Sequence, residues 1–192
     1  MAADKTRPKL IVRKFSEEAI EKYLNDLDDI QYAYPETQPV LIQIDSPGGP
    51  VTGLNMLLDR LYSMPNPIVT YTSSKACSAG AFLLAIAGSP GMRYASPNAN
   101  IHIHEAIGGA VGDIKDVEDR VKNFKMLNKN LMKQFAKSVG KKNANEVRQM
   151  ISDNTKGHDL WMSSKKAKEL NIIDEVCSIS IVPHKSWDIV KK

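Results

Sequence analysis

The spacing of hydrophobic and polar residues changes several times along the 192-residue chain, and each change marks an element. "KLIV" (9–12) is a short apolar run of strand type. Over 16–30 the apolar residues Ala19, Ile20, Tyr23, Leu24 and Leu27 fall on one face, which predicts a helix capped by Ser16. "PETQP" breaks the chain ahead of "VLIQI" (40–44), a nearly continuous apolar stretch of the kind buried on both faces of a sheet. A helical stripe returns at 52–63 with Leu54, Leu57, Leu58, Leu61 and Tyr62, and "PIVTYT" (67–72) is the next strand. "AGAFLLAIAG" is apolar all round, so it predicts an internal helix. "MRYA" and "NIHIH" are further short strands.

The second half is more polar. From 113 to 139 runs a long amphipathic helix, with Ile114, Val117, Val121, Phe124, Leu131, Phe135 and Val139 along one face and Gly140 as its stop. Its stripe is longer than one small sheet can cover, so this helix is expected to project and pack against another subunit. Asn143 with Glu146 resembles a capping box that starts another helix. Ser163 or Ser164 caps "KKAKEL", and Asn171 supplies the left-handed turn that ends it.

Alternating strands and helices imply a right-handed, mostly parallel α/β layer. Ligands of such sheets gather beyond the carboxyl ends of the strands. Both "DSPGG" and "KACSAG" directly follow strands, which puts both on that rim.

Composition narrows the function classes. A formal charge of +4 with scattered lysines describes a solvated surface, with no basic block for nucleic acid. Cys77 and Cys177 lack metal-type spacing and suit a reducing compartment. "MAADKTRPK" has no apolar signal core and no stretch approaches a membrane span, so a soluble cytoplasmic protein is expected.

Ser78 opens the apolar helix among small residues that are indifferent helix formers. It is either a structural cap or a nucleophile whose oxyanion would meet the Ala79 amide at a helix N-terminus. "SPGG" is either a tight turn or a second source of oxyanion donors. The available bases are His102, His104, His158 and His184. His184 belongs to the tail, His158 reads as a loop residue, and His102 and His104 share one strand face. Alternating histidines also suit zinc, but further ligands are not evident and no metal is expected. Lys75 as partner of a serine–lysine dyad precedes the helix and points elsewhere.

Four blocks together, "IDSPGGPVTG", "KACSAGAFLLA", "RYASPNANIHIHEAIGGAVGD" and "DLWMSSKKAKELNIIDEV", resemble the signature blocks of the Clp protease proteolytic subunit family, in the same order over about 9–180. The resemblance implies a crotonase-like fold with a projecting handle helix at 113–139 and two stacked heptameric rings. It also implies peptide or unfolded-protein substrates and a Ser78, His104, Asp159 triad, with oxyanion amides at Gly49 and Ala79. No cofactor is implied; ATP would be used only by a partner unfoldase. Residues 1–8 are then a flexible leader, 9–180 one peptidase domain and 181–192 a tail. Three positions depart from the family pattern: Ala79 stands for methionine, His104-Glu105-Ala106 for "HQP", and His102 for an apolar residue. The chain also starts almost at the first core strand, so the family's axial hairpin and first helix are expected to be absent or vestigial, which bears on unfoldase docking. The alternatives are an acyl-CoA enzyme of the same fold or a catalytically silent subunit.

Overall fold

The computed structural model describes residues 7–155, 159–183 and 187–191. Its main sheet is wholly parallel. It is built from β1 (Lys9–Val12), β2 (Val40–Ile44), β3 (Ile68–Thr72), β5 (Arg93–Ala95) and β8 (Glu175–Val176), adjacent in that order. The register sets Leu10 beside Ile42 and Ile42 beside Thr70. On one face pack α1 (Glu17–Ala33), α2 (Val51–Ser63) and the fully buried α3 (Ala79–Ala87). Ser16 caps α1 by accepting from the Ala19 amide, as its sequence predicts.

The other face carries Leu41, Val69, Tyr71 and Tyr94, covered by Ile179, Ile181 and Ile189. Those isoleucines lie on β9 (Ile179–Pro183) and β10 (Trp187–Lys191), an antiparallel hairpin formed by the stretch read from sequence as a tail. Burial on both faces is why β2 and β3 are nearly unbroken apolar runs.

One layer was expected, and the chain forms a second. β4 (Lys75–Cys77) pairs parallel with β6 (Asn100–His104), which pairs antiparallel with β7 (Asp159–Ser163). The switch from β3 into β4 takes only Ser73 and Ser74, both held by Asp45. Its Oδ1 accepts from the two backbone amides at 3.1 and 2.9 Å. Burial pushes the Asp45 carboxyl up, but hydrogen bonds from Gln43, Ser74 and Ser73 outweigh it and hold the group below the usual carboxylate range. The polar side chain thus makes the bend that moves the strand into another sheet.

The second half of the chain is helical around this small sheet. α4 (Ile114–Ser138) is capped by Asp113, which accepts from the Asp116 amide. It buries only Leu131, Met132, Phe135 and Ala136 near its C-terminal end, so the remainder projects. α5 (Ala144–Asn154) starts at Asn143, whose side chain accepts from the Asn145 and Glu146 amides. For α6 (Ser164–Glu169) the cap is Ser163; Ser164 is buried and donates to the Ser96 carbonyl at 2.6 Å. Gly140 and Asn171 adopt the left-handed turns their positions predict, at φ 73° and 57°.

Candidate active site

Ser78 joins β4 to α3 with φ 49° and ψ −115°, a region that L-residues with a Cβ avoid. Its amide donates to the His102 carbonyl at 2.8 Å and its carbonyl accepts from the Phe82 amide, so the backbone is held on both sides. The hydroxyl makes no capping hydrogen bond. The capping role that would explain a serine here is therefore absent, and Oγ is left at the helix mouth. A sharp strand-to-helix turn of this kind is how α/β-hydrolases present a nucleophilic serine.

The glycine turn lies against this serine. A Cβ on Gly48 would sit 2.8 Å from the Ser78 Cβ and 2.9 Å from the Cys77 carbonyl, at φ 102°, so only glycine allows this approach. Gly49 is equally restricted, with φ 154° and Phe15 Cβ at 2.8 Å from the same test position. Ser46 aligns the loop with β4: its amide donates to the Lys75 carbonyl and its carbonyl accepts from the Cys77 amide, both at 3.0 Å. Its Oγ accepts from the Gly48 amide at 3.1 Å. The two turns on the rim are thereby built as one unit, beside Ala79 at the start of the helix. Lys75 is exposed on β4.

The β6–β7 ladder brings the remaining residues in. His104 lies directly opposite Asp159, and His102 opposite Trp161. The side chains do not follow the same pairing. Asp159 Oδ1 is 3.6 Å from His102 Nε2, across the diagonal, a separation longer than a hydrogen bond. His104 Nδ1 lies 2.6 Å from the backbone carbonyl of Glu105. A carbonyl oxygen only accepts, so Nδ1 carries the proton and Nε2 of the neutral ring is left as the basic nitrogen. His158 and His184 lie outside the described residues.

Beyond His104, the segment is tied down by a charged cluster. The Glu105 carboxylate accepts from Asn128 Nδ2 at 2.5 Å and from Arg148 Nε at 2.6 Å. Asn128 Oδ1 in turn accepts from the Ala106 amide at 3.1 Å. The Glu105 side chain, adjacent in sequence to His104, thus turns to α4 and α5. Next to it opens a cavity of about 730 Å³, lined by His104, Asp159, Ala106, Ile107, Arg148 and Ile151 among others. It is broad enough for an amino-acid side chain, and its lining mixes the apolar Ala106, Ile107 and Ile151 with polar and charged groups. Among the described residues no group of three or more His, Cys, Asp or Glu side chains is placed to hold a metal ion.

Comparison with known proteins agrees with this architecture. The model of the family described as "Clp protease" matches residues 10–180. The chain belongs to the Clp protease family. It is 34% identical over 139 residues, 72% of its length, to the ATP-dependent Clp protease proteolytic subunit 2 of Cutibacterium acnes, and the match spans 62% of that relative. The mixed α/β fold with its parallel sheet is that of the family.

Within this Clp protease frame, sequence reasoning missed Asn128, Arg148 and Trp161. Arg148 and Asn128 sit on helix faces that read as ordinary solvated surface; only the unusual Glu105 hinted that partners were needed. Trp161 stacks on His102 with ring centroids 3.9 Å apart and 7° between planes. Its position opposite His102 could have been found only by knowing the register of β6 against β7. No helix among the described residues is long and apolar enough to cross a membrane.

Proposed function

We propose that the chain is a serine endopeptidase of the self-compartmentalising Clp type. The observation that carries this reading is Ser78 itself, held at positive φ with its hydroxyl free of any capping bond and packed on Gly48. In this mechanism Ser78 Oγ attacks the peptide carbonyl while His104 Nε2 takes its proton. The tetrahedral oxyanion is stabilised by the Gly49 and Ala79 amides, helped by the N-terminal dipole of α3. The imidazolium then protonates the leaving amine, and water repeats the cycle on the acyl-enzyme. Asp159, opposite His104 in the ladder, turns its carboxylate to Nδ1 in place of the Glu105 carbonyl and stabilises the imidazolium. The cavity beside His104 takes a substrate side chain.

The proposed assembly is two stacked heptameric rings enclosing a chamber, supplied with unfolded chains by an ATP-driven unfoldase. The name of the Cutibacterium relative supports the link to ATP-dependent proteolysis. A fluorophosphonate probe tests the central assignment. Labelling is expected at Ser78 alone, and Ser78→Ala is expected to lose both labelling and peptide hydrolysis while keeping its assembly state and thermal midpoint. Turnover retained in Ser78→Ala would remove the nucleophile from this reading.

A further inference from the structure

His102 is not used by the mechanism above, yet it is the histidine nearer to the Asp159 carboxylate. Its side chain is 12% exposed, and Nε2 is fully buried without a hydrogen-bond partner, 3.6 Å from Asp159 Oδ1. Trp161 fixes the ring plane by stacking, so Nε2 stays aimed in that direction. The His104 ring lies 5.1 Å away, centroid to centroid. Asp159 is 58% exposed, and its backbone lies directly opposite His104 in the ladder. One carboxylate thus contacts one histidine and faces the other across the strands.

We propose that His102 is a positioning residue that holds the Asp159 carboxylate away from His104, so that one carboxylate is shared between two histidines. The proposal rests on the peptidase reading. In the described geometry the carboxylate stands on His102, and His104 is oriented by the Glu105 carbonyl, which fixes the tautomer but adds no negative charge to stabilise an imidazolium. Turnover requires the carboxylate to cross to His104. The strength of the hold depends on the charge of His102.

The groups facing His102 set that charge. Burial pushes its imidazole down, a charged His104 on the same strand pushes it further, and Asp159 on β7 pulls it up. From β4 its ladder neighbour is Cys77, whose thiol is pushed up by burial and stays neutral. At neutral pH His102 is uncharged and its hold on the carboxylate is weak. Below its ordinary range it gains a proton and becomes an ion-pair partner for Asp159, in direct competition with His104. Activity then falls on the acid side as the carboxylate is captured.

The experiment uses the full chain and His102→Phe, which keeps an aromatic ring against Trp161 and removes Nε2. Hydrolysis of a fluorogenic peptide and the rate of fluorophosphonate labelling are measured at pH 5 and pH 8. The expected result is a kcat about three- to tenfold higher than the parent at pH 5 and changed by less than about twofold at pH 8, with KM unaltered. In an Asp159→Asn background the same substitution is expected to have no effect, because its action passes through that carboxylate. His102→Gln, which is polar but cannot be protonated, provides the same acid-side gain should the phenylalanine variant fold poorly. A kcat that keeps the parent's acid dependence, or falls at both pH values in the two variants, overturns the role of His102. Ser78 unlabelled in the parent at either pH defeats the peptidase reading, and the proposal with it.

Discussion

A residue held at positive φ without being glycine costs about 1–3 kcal/mol, so Ser78 and its surroundings spend stability on one hydroxyl. The surroundings that hold it are specific: the Gly48 approach, the Ser46 bridge and the bond from the Ser78 amide to His102. That argument was only half legible in the sequence. Small residues around Ser78 indicated a tight turn, but whether its hydroxyl caps the helix could not be read until it was seen to make no cap bond. The histidines show the same limit. Period-two spacing placed His102 and His104 on one face, yet which of them meets Asp159 depends on side-chain rotamers that no pattern encodes. Separate alanine variants test the assignment of the base. His104→Ala is expected to lose on the order of 10⁴ in kcat, and His102→Ala far less. Steady-state peptide hydrolysis, with thermal midpoints to confirm folding, checks it; the reverse ranking would move the base by two residues.

At the scale of elements, the joints between helices and strands carry most of the specificity. Arg93 on β5 is buried and its guanidinium is fully used. It bonds Asp174 at 2.6 and 3.0 Å, the Ser138 and Asn171 carbonyls at 3.0 Å each, and Asn171 Oδ1 at 3.0 Å. This single side chain ties the end of α4 and the turn after α6 to the main sheet. Burial raises the Asp174 carboxyl, but the hydrogen bonds and charge of Arg93 outweigh it and leave the group below its usual range. A carboxyl with a depressed folded-state value contributes stability above the unfolded value near 3.8, and that contribution is lost as pH falls through the folded value. Arg93→Met is expected to destabilise by about 3 kcal/mol, since it leaves a largely buried carboxylate without its counter-charge and with backbone amide donors alone. Urea unfolding at pH 7 and pH 3 checks this: the deficit should shrink at the lower pH, and an equal deficit at both would show that packing and not charge was lost. The helices and long apolar strands of these joints were readable because periodicity is local. β4 was not, since three residues gain their strand geometry only from partners on β6 and from the Asp45 turn. The hairpin of β9 and β10 was missed for a related reason: its worth lies in covering Leu41, Tyr71 and Tyr94, which are distant in sequence.

For the molecule as a whole, the decisive feature is apolar surface left uncovered by its own chain. Over the first half of α4 no residue is buried, while Ile114 is 82% exposed and Val121 and Met126 are also open. The segment leading into it adds Ile107 at 79% and Val111 at 89%. A bare apolar stripe of this length is unfavourable in water, and the helix has core contacts of its own only at its C-terminal end. A symmetric oligomer in which these helices cover one another resolves both problems. The proposed site would make assembly matter for activity: Glu105 bonds Asn128 on α4 and Arg148 on α5, so a shift of α4 on assembly would reach His104 through two residues. The expected outcome is a large oligomer by light scattering whose peptide hydrolysis rises and falls with its assembled fraction. Because the uncovered stripe is apolar, assembly should persist as salt is raised from about 0.1 to 0.5 M, where screening weakens exposed ion pairs. Val121→Lys, which places a charge in the middle of the stripe, should shift the population toward smaller species and lower turnover in proportion, with the protomer's helix content unchanged. A monomer with full activity would show that the stripe is not a subunit interface and that the active site is complete in one chain.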